Sequence, residues 1–245
     1  MFLSTTNCCI FCTSLQLHES TNHGSMKEQY YTNDSIDQQA QAFLKEIIPL
    51  RNRHDIKINL TKAALLVIDM QNYFVDKSSH AYVPSVDAIV PRIAKLQNYC
   101  LQNDIRVIQT RHINTKENAG MMAKWWGGRL LESTGSASEI IAAIASPKIV
   151  PVIKSQYDAF YGSMLESILK TNGIEQLIIT GVMTHLCCET TARLAFTRGY
   201  EVFFSIDGTA TYNRRFHLAT LVNLAHGFAV PMLVDEIITQ LEKQK

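Results

Sequence analysis

The sequence predicts a single α/β domain of three layers, α/β/α, built around a six-stranded, mostly parallel sheet. Short apolar runs rich in β-branched residues alternate with segments of helical spacing from residue 63 to the C-terminus. Several of these runs, such as residues 63–68, are apolar at almost every position, which is typical of interior parallel strands covered on both faces. The 245 residues, 47% of them hydrophobic, suffice for one large domain with a substantial core.

The first 34 residues are predicted to be a disordered tail. Residues 1–25 contain Ser, Thr, Asn and three cysteines but neither Lys nor Arg, whereas a secretory signal needs a basic start and a longer apolar centre. Cys9 and Cys12 form a lone C-x-x-C pair, and we favour a tail over a zinc or redox site because there is no second pair. Met26 is a candidate for the natural start, a hypothesis that N-terminal mass spectrometry of the native protein would test.

Residues 35–60 are predicted to form a helical arm and a polar connector ahead of the main domain, residues 61–245. Ser35 is the expected N-cap of the arm helix, and Pro49 marks its expected end. Between them, apolar residues recur at the spacing of one helical face: Ile36, Ala40, Phe43, Leu44 and Ile47. We expect this face to pack on the main domain or on a neighbouring subunit.

Strands and helices alternate strictly along the main domain. The predicted strands are residues 63–68, 106–110, 149–153, 177–179, 200–206 and 229–234. The predicted helices are residues 86–101, 138–145, 163–170, 184–198, 216–226 and a last helix at the C-terminus. Gly181 breaks the fourth strand, and Thr184 is the expected N-cap of the helix after it. This order implies a mostly parallel sheet with helices on both faces.

The composition argues against several classes of partner. A net charge of +1 gives no reason to expect nucleic acid or an anionic membrane surface. No apolar run approaches the ~20 residues that a membrane helix needs. The cysteines include two adjacent pairs, Cys8-Cys9 and Cys187-Cys188, which is not the layout of a disulfide framework. We therefore expect a small-molecule substrate and a reducing, cytoplasmic compartment.

Three residues that can carry chemistry follow predicted strands. Asp69, Lys154 and Cys187 lie just beyond the ends of the first, third and fourth strands, at the edge where open parallel sheets bind ligands. Each has a plainer interpretation, because a polar residue after a strand is often a solvated stop and a free cysteine is often buried and inert. As a set they suit nucleophilic catalysis. Lys154 and a helix N-terminus would lower the thiol pKa from its usual ~8.5, and Asp69 would act as general base and acid.

Three motifs carry a resemblance to a known family. They are IDMQNYF around Asp69, KSQYDAFYGSMLESIL from Lys154 and ITGVMTHLCCETTAR around Cys187. In this order and at these spacings they resemble the isochorismatase-like cysteine hydrolases. The resemblance implies an isochorismatase-like sheet, an Asp–Lys–Cys triad with a covalent intermediate, and a homo-oligomer, either a dimer or a tetramer. It also implies a cis peptide between Val182 and Met183, and an oxyanion hole formed by the backbone N–H groups of Met183 and Cys187.

Two departures from related enzymes guide the choice of activity. Nicotinamidases bind a metal through an aspartate and histidines in the loop after the second strand, but the corresponding loop here, RHINTKENAGMMAKWWGG, has no Asp-x-His followed by a second His. We interpret His112 as a hydrogen-bonded structural histidine, expect no metal or other cofactor, and set nicotinamidase activity aside. True isochorismatases usually have glycine where Cys187 stands, so the cysteine favours a covalent intermediate. Cys188 is expected to be a packing residue.

Three functions therefore remain open. The first is a cysteine-dependent hydrolase of a small amide, ureido or carbamoyl compound. The second is an isochorismatase-type vinyl-ether hydrolase, which the GVMTH and WWGGRL segments resemble. The third is a catalytically silent binding or oligomeric subunit. Side chains flanking the three motifs are the candidates for the substrate-binding walls: Gln71, Phe74, Trp126, Tyr157, Phe160 and His185.

Overall fold

A computed structural model, which describes residues 26–244, contains one six-stranded sheet in the order β3-β2-β1-β4-β5-β6. Its strands are β1 (Ala63–Ile68), β2 (Arg106–His112), β3 (Val152–Lys154), β4 (Gln176–Val182), β5 (Glu201–Ala210) and β6 (Val230–Met232). All neighbouring strands run parallel, which confirms the predicted fold class. The predicted tail up to residue 25, with Cys9 and Cys12, lies outside the described residues.

Eight α-helices are formed within residues 26–244. They are α1 (Ile36–Arg51), α2 (Asn72–Val75), α3 (Val86–Gln102), α4 (Met121–Trp125), α5 (Leu165–Thr171), α6 (Glu189–Thr197), α7 (Arg214–Gly227) and α8 (Val234–Glu242). The central strands β1 and β4 are buried at every position, so both faces of the sheet are covered. No helix in the described part of the chain is long and apolar enough to cross a membrane.

The register of the strands brings four strand ends to one edge of the sheet. Ile68 on β1 is level with Gly181 on β4, and His112 on β2 is level with Lys154 on β3. Because parallel strands all end at the same edge, the residues that follow them must lie close together. Asp69 directly follows β1, so its carboxylate lies at this edge.

The arm helix α1 packs on its own chain. The five apolar residues predicted for its inner face are all buried. The helix continues through Pro49 to Arg51, whose guanidinium donates to both carboxylate oxygens of Glu236 on α8 at 3.0 and 3.1 Å. Ser35 does not cap the helix through its side chain; its hydroxyl oxygen accepts a hydrogen bond from the backbone N–H of Thr32 instead.

Residues 26–34, predicted as the last part of the tail, pack against the main domain. Tyr30 and Tyr31 are buried, and the hydroxyl oxygen of Ser85 accepts hydrogen bonds from both of their backbone N–H groups at 3.0 Å. We call residues 26–31 the N-terminal strap. The polar composition of this segment predicted disorder. The two buried aromatic side chains outweigh that composition and hold the segment against the domain.

Residues 138–145 do not form the predicted helix. A short 3-10 turn (Ser136–Ser138) is followed by irregular chain. The backbone N–H of Ile141 donates to the carbonyl of Met70, and the N–H of Asn72 donates to the carbonyl of Glu139, both at 3.0 Å. The polar groups of this segment thus pair with the chain after β1 rather than along a helix. Ile141 and Ile144 are both buried, and their spacing of three residues resembles that of one face of a helix, which explains the helix prediction.

Candidate active site

Asp69, Lys154 and Cys187 meet in one buried cluster at the carboxyl edge of the sheet. The Nζ of Lys154 lies 2.7 Å from Oδ2 of Asp69, and both side chains are completely shielded from solvent. The same Nζ donates to Sγ of Cys187 at 3.3 Å. The site therefore combines a carboxylate, which can accept and return a proton, with a sulfur, which can act as a nucleophile.

Asp69 is held by its backbone conformation and by Thr110. Its φ of +52° lies in the left-handed region, which Asp tolerates better than most residues with a side chain. The hydroxyl of Thr110 accepts from the backbone N–H of Asp69 at 3.1 Å and donates to Oδ1 at 2.6 Å. One carboxylate oxygen is thereby tied to β2, while the other is directed at Lys154.

Lys154 remains a cation although it is buried. Burial alone would lower its pKa, but the neighbouring Asp69 and Cys187 outweigh burial and raise the pKa above its usual value. The carbonyl oxygen of Gln156 accepts a further hydrogen bond from Nζ at 2.8 Å. The ammonium group therefore has partners on several sides, which is the condition for keeping a charge inside a protein.

Cys187 lies in a π-helical turn (Thr184–Cys188) that precedes α6. The sequence predicted an α-helix capped by Thr184, but the Thr184 hydroxyl instead contacts Nδ1 of His217 at 3.0 Å. A π-helical turn bonds over five residues rather than four, which changes the directions of its side chains relative to an α-helix. Sequence spacing alone contains no signal for this difference.

The pKa of Cys187 is raised to about 12, which corrects the expectation of a thiolate stabilised at rest. Burial is the largest cause; Lys154 opposes it, and the carboxylate of Asp69 adds to it through its charge and a hydrogen bond. The residue therefore rests as a thiol whose sulfur lies within 4.8 Å of a carboxylate oxygen of Asp69. That arrangement places the proton where a general base can take it as the sulfur attacks.

Two backbone features shape the turn before Cys187. The Val182–Met183 peptide is cis, as the family resemblance implied. Gly181 has a φ of +110°, and a Cβ at this position would lie 2.0 Å from the carbonyl oxygen of Ile68. Only glycine permits this close approach of β4 to the end of β1, so Gly181 sets the distance between the Asp69 and Cys187 segments.

His112 completes the polar surroundings of Lys154. The amide nitrogen of Asn114 donates to the carbonyl of Ser155 at 2.6 Å, so its Oδ1 faces Nε2 of His112 at 2.7 Å and accepts from it. Nδ1 is then unprotonated and accepts from Nζ of Lys154 at 3.3 Å. Burial, with Lys154 as the next cause, lowers the pKa of His112 to about 4, so the ring is neutral, as the sequence interpretation of a structural histidine requires.

The donor atoms around Lys154 do not fit a metal ion. Asp69, His112 and Cys187 offer ligand atoms within 4.8 Å of one another. The ammonium of Lys154 contacts all three, at 2.7, 3.3 and 3.3 Å, and so takes the position that a cation would need. Moving it aside would leave a buried ammonium without its carboxylate, at a cost of several kcal/mol. In the nicotinamidase pattern the metal has ligands of its own, and the loop after β2 supplies no such set.

A cleft opens above Cys187 and is lined mainly by aromatic and apolar side chains, as is typical of small-ligand sites. Three of the six predicted wall residues line it: Phe74, Trp126 and Tyr157. The Nε1–H of Trp126 donates to the hydroxyl of Tyr157 at 2.8 Å, which holds two of the aromatic walls together. Met183, predicted for the oxyanion hole, also lines the cleft, as does Cys187.

The other three predicted wall residues lie elsewhere. The buried Gln71 bonds through its amide to the backbone of His112 and Ser138, which makes it a structural brace. Phe160 stacks on the ring of Tyr200. His185 stacks on Phe216 and contacts the hydroxyl of Thr211, so its ring is directed toward α7 rather than the cleft. Residues of one motif need not face the same way, because successive side chains point in different directions.

Several residues of the site were missed from sequence. Further residues that line the cleft are Tyr73, His80, Asn114, Arg129, Leu186 and Tyr212. The rule that found Asp69 and Lys154 would also have found Thr110, near the end of β2, and Tyr212, just beyond β5. Arg129 follows the two glycines after the tryptophan pair and had no such signal.

Comparisons with known proteins agree on the family of this chain. The isochorismatase domain family matches residues 63–236. The chain is 40% identical over 179 residues to Nicotinamidase 3 of Arabidopsis thaliana, which covers 71% of this chain and 86% of that protein. It is 32% identical over 190 residues to Enterobactin synthase component B of Escherichia coli (strain K12), covering 77% of this chain and 66%, just under two thirds, of that relative. A cysteine hydrolase structure from Pseudomonas syringae pv. phaseolicola 1448A aligns with a TM-score of 0.74 at 27% identity, covering 78% of this chain and 97% of that one.

Proposed function

Because this chain belongs to the isochorismatase family of hydrolases, we propose that it hydrolyses a small amide, ureido or carbamoyl compound through a covalent intermediate on Cys187. The observation that carries the proposal is the contact of Asp69, Lys154 and Cys187 at the base of an aromatic cleft. A thiol, a carboxylate and an ammonium in this arrangement provide the nucleophile, the proton acceptor and the fixed positive charge that acyl transfer needs.

The first half of the reaction forms an acyl-enzyme. Sγ of Cys187 attacks the substrate carbonyl carbon while its proton moves to the carboxylate of Asp69. The backbone N–H groups of Met183 and Cys187 hold the oxyanion, a contribution typically worth ~2.7–4 kcal/mol per donor. Asp69 then returns the proton to the departing nitrogen as the C–N bond breaks, which leaves a thioester.

The second half releases the acyl group. Asp69, again ionised, takes a proton from water as the water oxygen attacks the thioester carbon. The C–S bond breaks, and the sulfur regains its proton from Asp69. Lys154 stays charged throughout and stabilises whichever of Asp69 and Cys187 is anionic. Its own raised pKa makes it unsuitable as a nucleophile, which must be uncharged to attack.

Nicotinamide is the first amide to test. The loop after β2 lacks the metal ligands of nicotinamidases, and on that ground the sequence alone disfavours this activity. The 40% identity to a protein called Nicotinamidase 3 restores nicotinamide as a candidate substrate, and the aromatic walls formed by Phe74, Trp126 and Tyr157 suit a flat ring. The mechanism above needs no metal, so both observations fit one enzyme.

A vinyl-ether hydrolase of the isochorismatase type is the second candidate. The 32% identity to Enterobactin synthase component B favours it. The cysteine at position 187 disfavours it, since a vinyl-ether cleavage needs a proton donor such as Asp69 but no nucleophile. A catalytically silent subunit is the least supported alternative, because the complete ion pair and thiol have no evident structural purpose.

Turnover of a substrate panel by matched variants tests the proposal. The panel holds nicotinamide, N-carbamoyl compounds and isochorismate, and intact mass is recorded during turnover. We expect an acyl adduct on Cys187, and loss of amide hydrolysis in both Cys187→Ala and Asp69→Asn. The double variant should be no worse than either single one, because the two groups act as a unit. Cys100→Ala, a buried cysteine on α3, is the control that should retain activity.

Two outcomes would contradict the proposal. If Cys187→Gly kept or improved activity on isochorismate, the vinyl-ether alternative would replace the covalent one. If the wild-type chain turned over no member of the panel and formed no adduct, the silent-subunit alternative would gain support.

The environment and assembly of the protein are also proposed. Cys100, Cys187 and Cys188 are free cysteines, which supports a reducing, cytoplasmic compartment. β3 is one of the two edge strands of the sheet, and its Ile153 is 47% exposed, which supports a homo-oligomer that covers this edge. Light scattering at several concentrations would test the second point, and a monomer at all of them would contradict it.

A further inference from the structure

Two cationic side chains flank the mouth of the cleft. Arg129 is one of its lining residues and is exposed at the rim. Lys27 of the strap donates to the carbonyl of His80 at 2.6 Å and lies 4.8 Å from the centre of the Tyr212 ring. His80 and Tyr212 both line the cleft, so both charges lie beside it. Among the residues that the structure describes, the lining contains no Asp or Glu.

Arg129 differs from most arginines of the described chain. Six others donate to side-chain oxygens of other residues, and a seventh, Arg198, forms an ion pair with Glu166; the six are Arg51, Arg92, Arg106, Arg111, Arg193 and Arg214. Within residues 26–244 the guanidinium of Arg129 has no such acceptor. A guanidinium beside aromatic walls, without an acceptor in the described part of its chain, is available to a planar anion.

The neighbouring titratable groups do not neutralise this charge. Partial burial lowers the pKa of His80, and the charges of Arg129 and Lys27 lower it further, so its ring is neutral at pH 7. Asp76 belongs to an adjoining cleft that shares Tyr73 and His80, and its carboxylate accepts from the backbone N–H and the hydroxyl of Ser78. The mouth of the cleft is therefore positive.

We propose that Arg129 binds a carboxylate of the substrate, so that the natural substrate is an amide, ureido or carbamoyl compound that also carries an acid group. The reacting carbonyl lies at Cys187 and the carboxylate at the rim, with the flat part of the molecule between Trp126 and the other aromatic walls. The position of the carbonyl rests on the function proposed above, whereas the anion site at Arg129 does not. A neutral amide such as nicotinamide fills the aromatic part of the cleft but gains nothing from Arg129.

A matched pair of ligands tests the anion site without turnover. Benzoate and benzamide have nearly the same shape and differ in charge. Their binding is measured by calorimetry on the full chain carrying Cys187→Ala, which cannot form an acyl-enzyme. We expect benzoate to bind roughly tenfold tighter than benzamide or better, because hydrogen bonds to charged groups are stronger than neutral ones. Added salt should reduce this preference.

Substitutions at the rim identify the residue responsible. Arg129→Met should abolish the preference for benzoate and leave benzamide binding unchanged, and Arg129→Lys should keep part of it. Lys124→Met removes an exposed charge from α4 that does not line the cleft, and should change neither affinity. Absence of benzoate binding, equal binding of the two ligands, or a preference that survives Arg129→Met would overturn the inference.

The result is independent of the catalytic proposal. If benzoate binds through Arg129 but no amide is hydrolysed, the anion site stands and the function proposed above fails. If amides are hydrolysed through Cys187 but Arg129→Met changes nothing, the reverse holds. The two ideas therefore fail by different measurements.

Discussion

Lys154 is the residue around which the charges of the site are arranged. Its ammonium contacts a carboxylate, a thiol and a neutral imidazole, and each contact has a different consequence. The carboxylate keeps the ammonium charged, burial together with the ammonium keeps His112 neutral, and burial keeps Cys187 protonated. In the proposed mechanism, the only proton that must move at the start is therefore the one between Cys187 and Asp69.

The alkylation rate of Cys187 should report this balance. Iodoacetamide reacts with the thiolate, so a pKa near 12 predicts a rate that is low at pH 6–7 and keeps rising toward pH 10. Asp69→Asn removes a neighbour that raises the thiol pKa, and should speed alkylation roughly tenfold at pH 8, the change expected for one pKa unit. Lys154→Met removes the neighbour that lowers it, and should slow the reaction.

Peptide mass spectrometry resolves Cys187 from the other thiols in this experiment. The fully buried Cys100 serves as an internal control, and its labelling should not respond to either substitution. A wild-type rate that levels off below pH 7 would contradict the raised pKa. It would restore the stabilised thiolate that the sequence alone suggested.

At the scale of elements, the site depends on how closely β4 approaches the end of β1. Gly181→Ala would place a methyl group 2.0 Å from a backbone oxygen in a left-handed conformation. We expect unfolding in urea to show a loss of roughly 3–5 kcal/mol, the sum of overpacking and backbone strain. Gly173→Ala is the matched control: φ is +63°, but no atom lies within 4 Å of the added Cβ. It should lose only ~1–2 kcal/mol. Equal losses at both glycines would contradict the steric argument.

The strap connects to the catalytic turn through a buried histidine. The hydroxyl of Tyr30 contacts Nδ1 of His217 at 3.1 Å and accepts from the backbone N–H of Thr211 at 3.0 Å. The hydroxyl of Thr184, next to Met183, contacts the same Nδ1. Burial lowers the pKa of His217 to about 3, so the ring is neutral and acts as a hydrogen-bonding bridge.

Tyr30→Phe should therefore affect both stability and turnover. The change leaves the N–H of Thr211 unpaired in the interior, which costs ~1–3 kcal/mol in urea unfolding. We also expect a lower kcat on whichever substrate is found, with little change in KM, because Thr184 loses part of its support. Tyr161→Phe, at a hydroxyl on the surface, is the matched control and should stay within ~0.5 kcal/mol of wild type. Unchanged kcat in Tyr30→Phe would limit the strap to a structural role.

At the scale of the whole molecule, the family domain is completed by chain that precedes it. The match begins at residue 63, yet α1 buries Ile36, Phe43 and Ile47 against the core, and the strap contacts residues of the cleft. We propose that residues 35–60 are an integral arm of the domain 61–245. Each large apolar side chain buried in this way contributes ~1.5–3 kcal/mol.

Truncation tests this integration. A chain that begins at residue 61 should unfold at least ~10 °C below the full chain or fail to stay in solution. Each kcal/mol of lost stability lowers Tm by ~2–4 °C, and several kcal/mol are lost. A chain that begins at Met26 keeps the strap and α1, and should match the full chain in Tm and turnover. Equal melting of the chain from residue 61 would show that the arm is dispensable.

Much of the fold could be derived from the sequence because burial leaves a local signature. Residues 63–68 were predicted as a strand and form β1 with the same limits, since a strand covered on both faces is apolar throughout. The inner face of α1 was also correct. Because strand ends in a parallel sheet share one edge, the positions of Asp69, Lys154 and Cys187 along the chain were enough to predict that they lie together.

Only the tertiary structure decided what each group does in its surroundings. Residues 138–145 have helical spacing, yet their backbone pairs with the chain after β1. Gln71, Phe160 and His185 belong to the motifs but do not line the cleft. The pKa of Cys187 depends on how completely water is excluded and on the distances to Lys154 and Asp69. These are properties of residues distant in sequence, and spacing along the chain does not encode them.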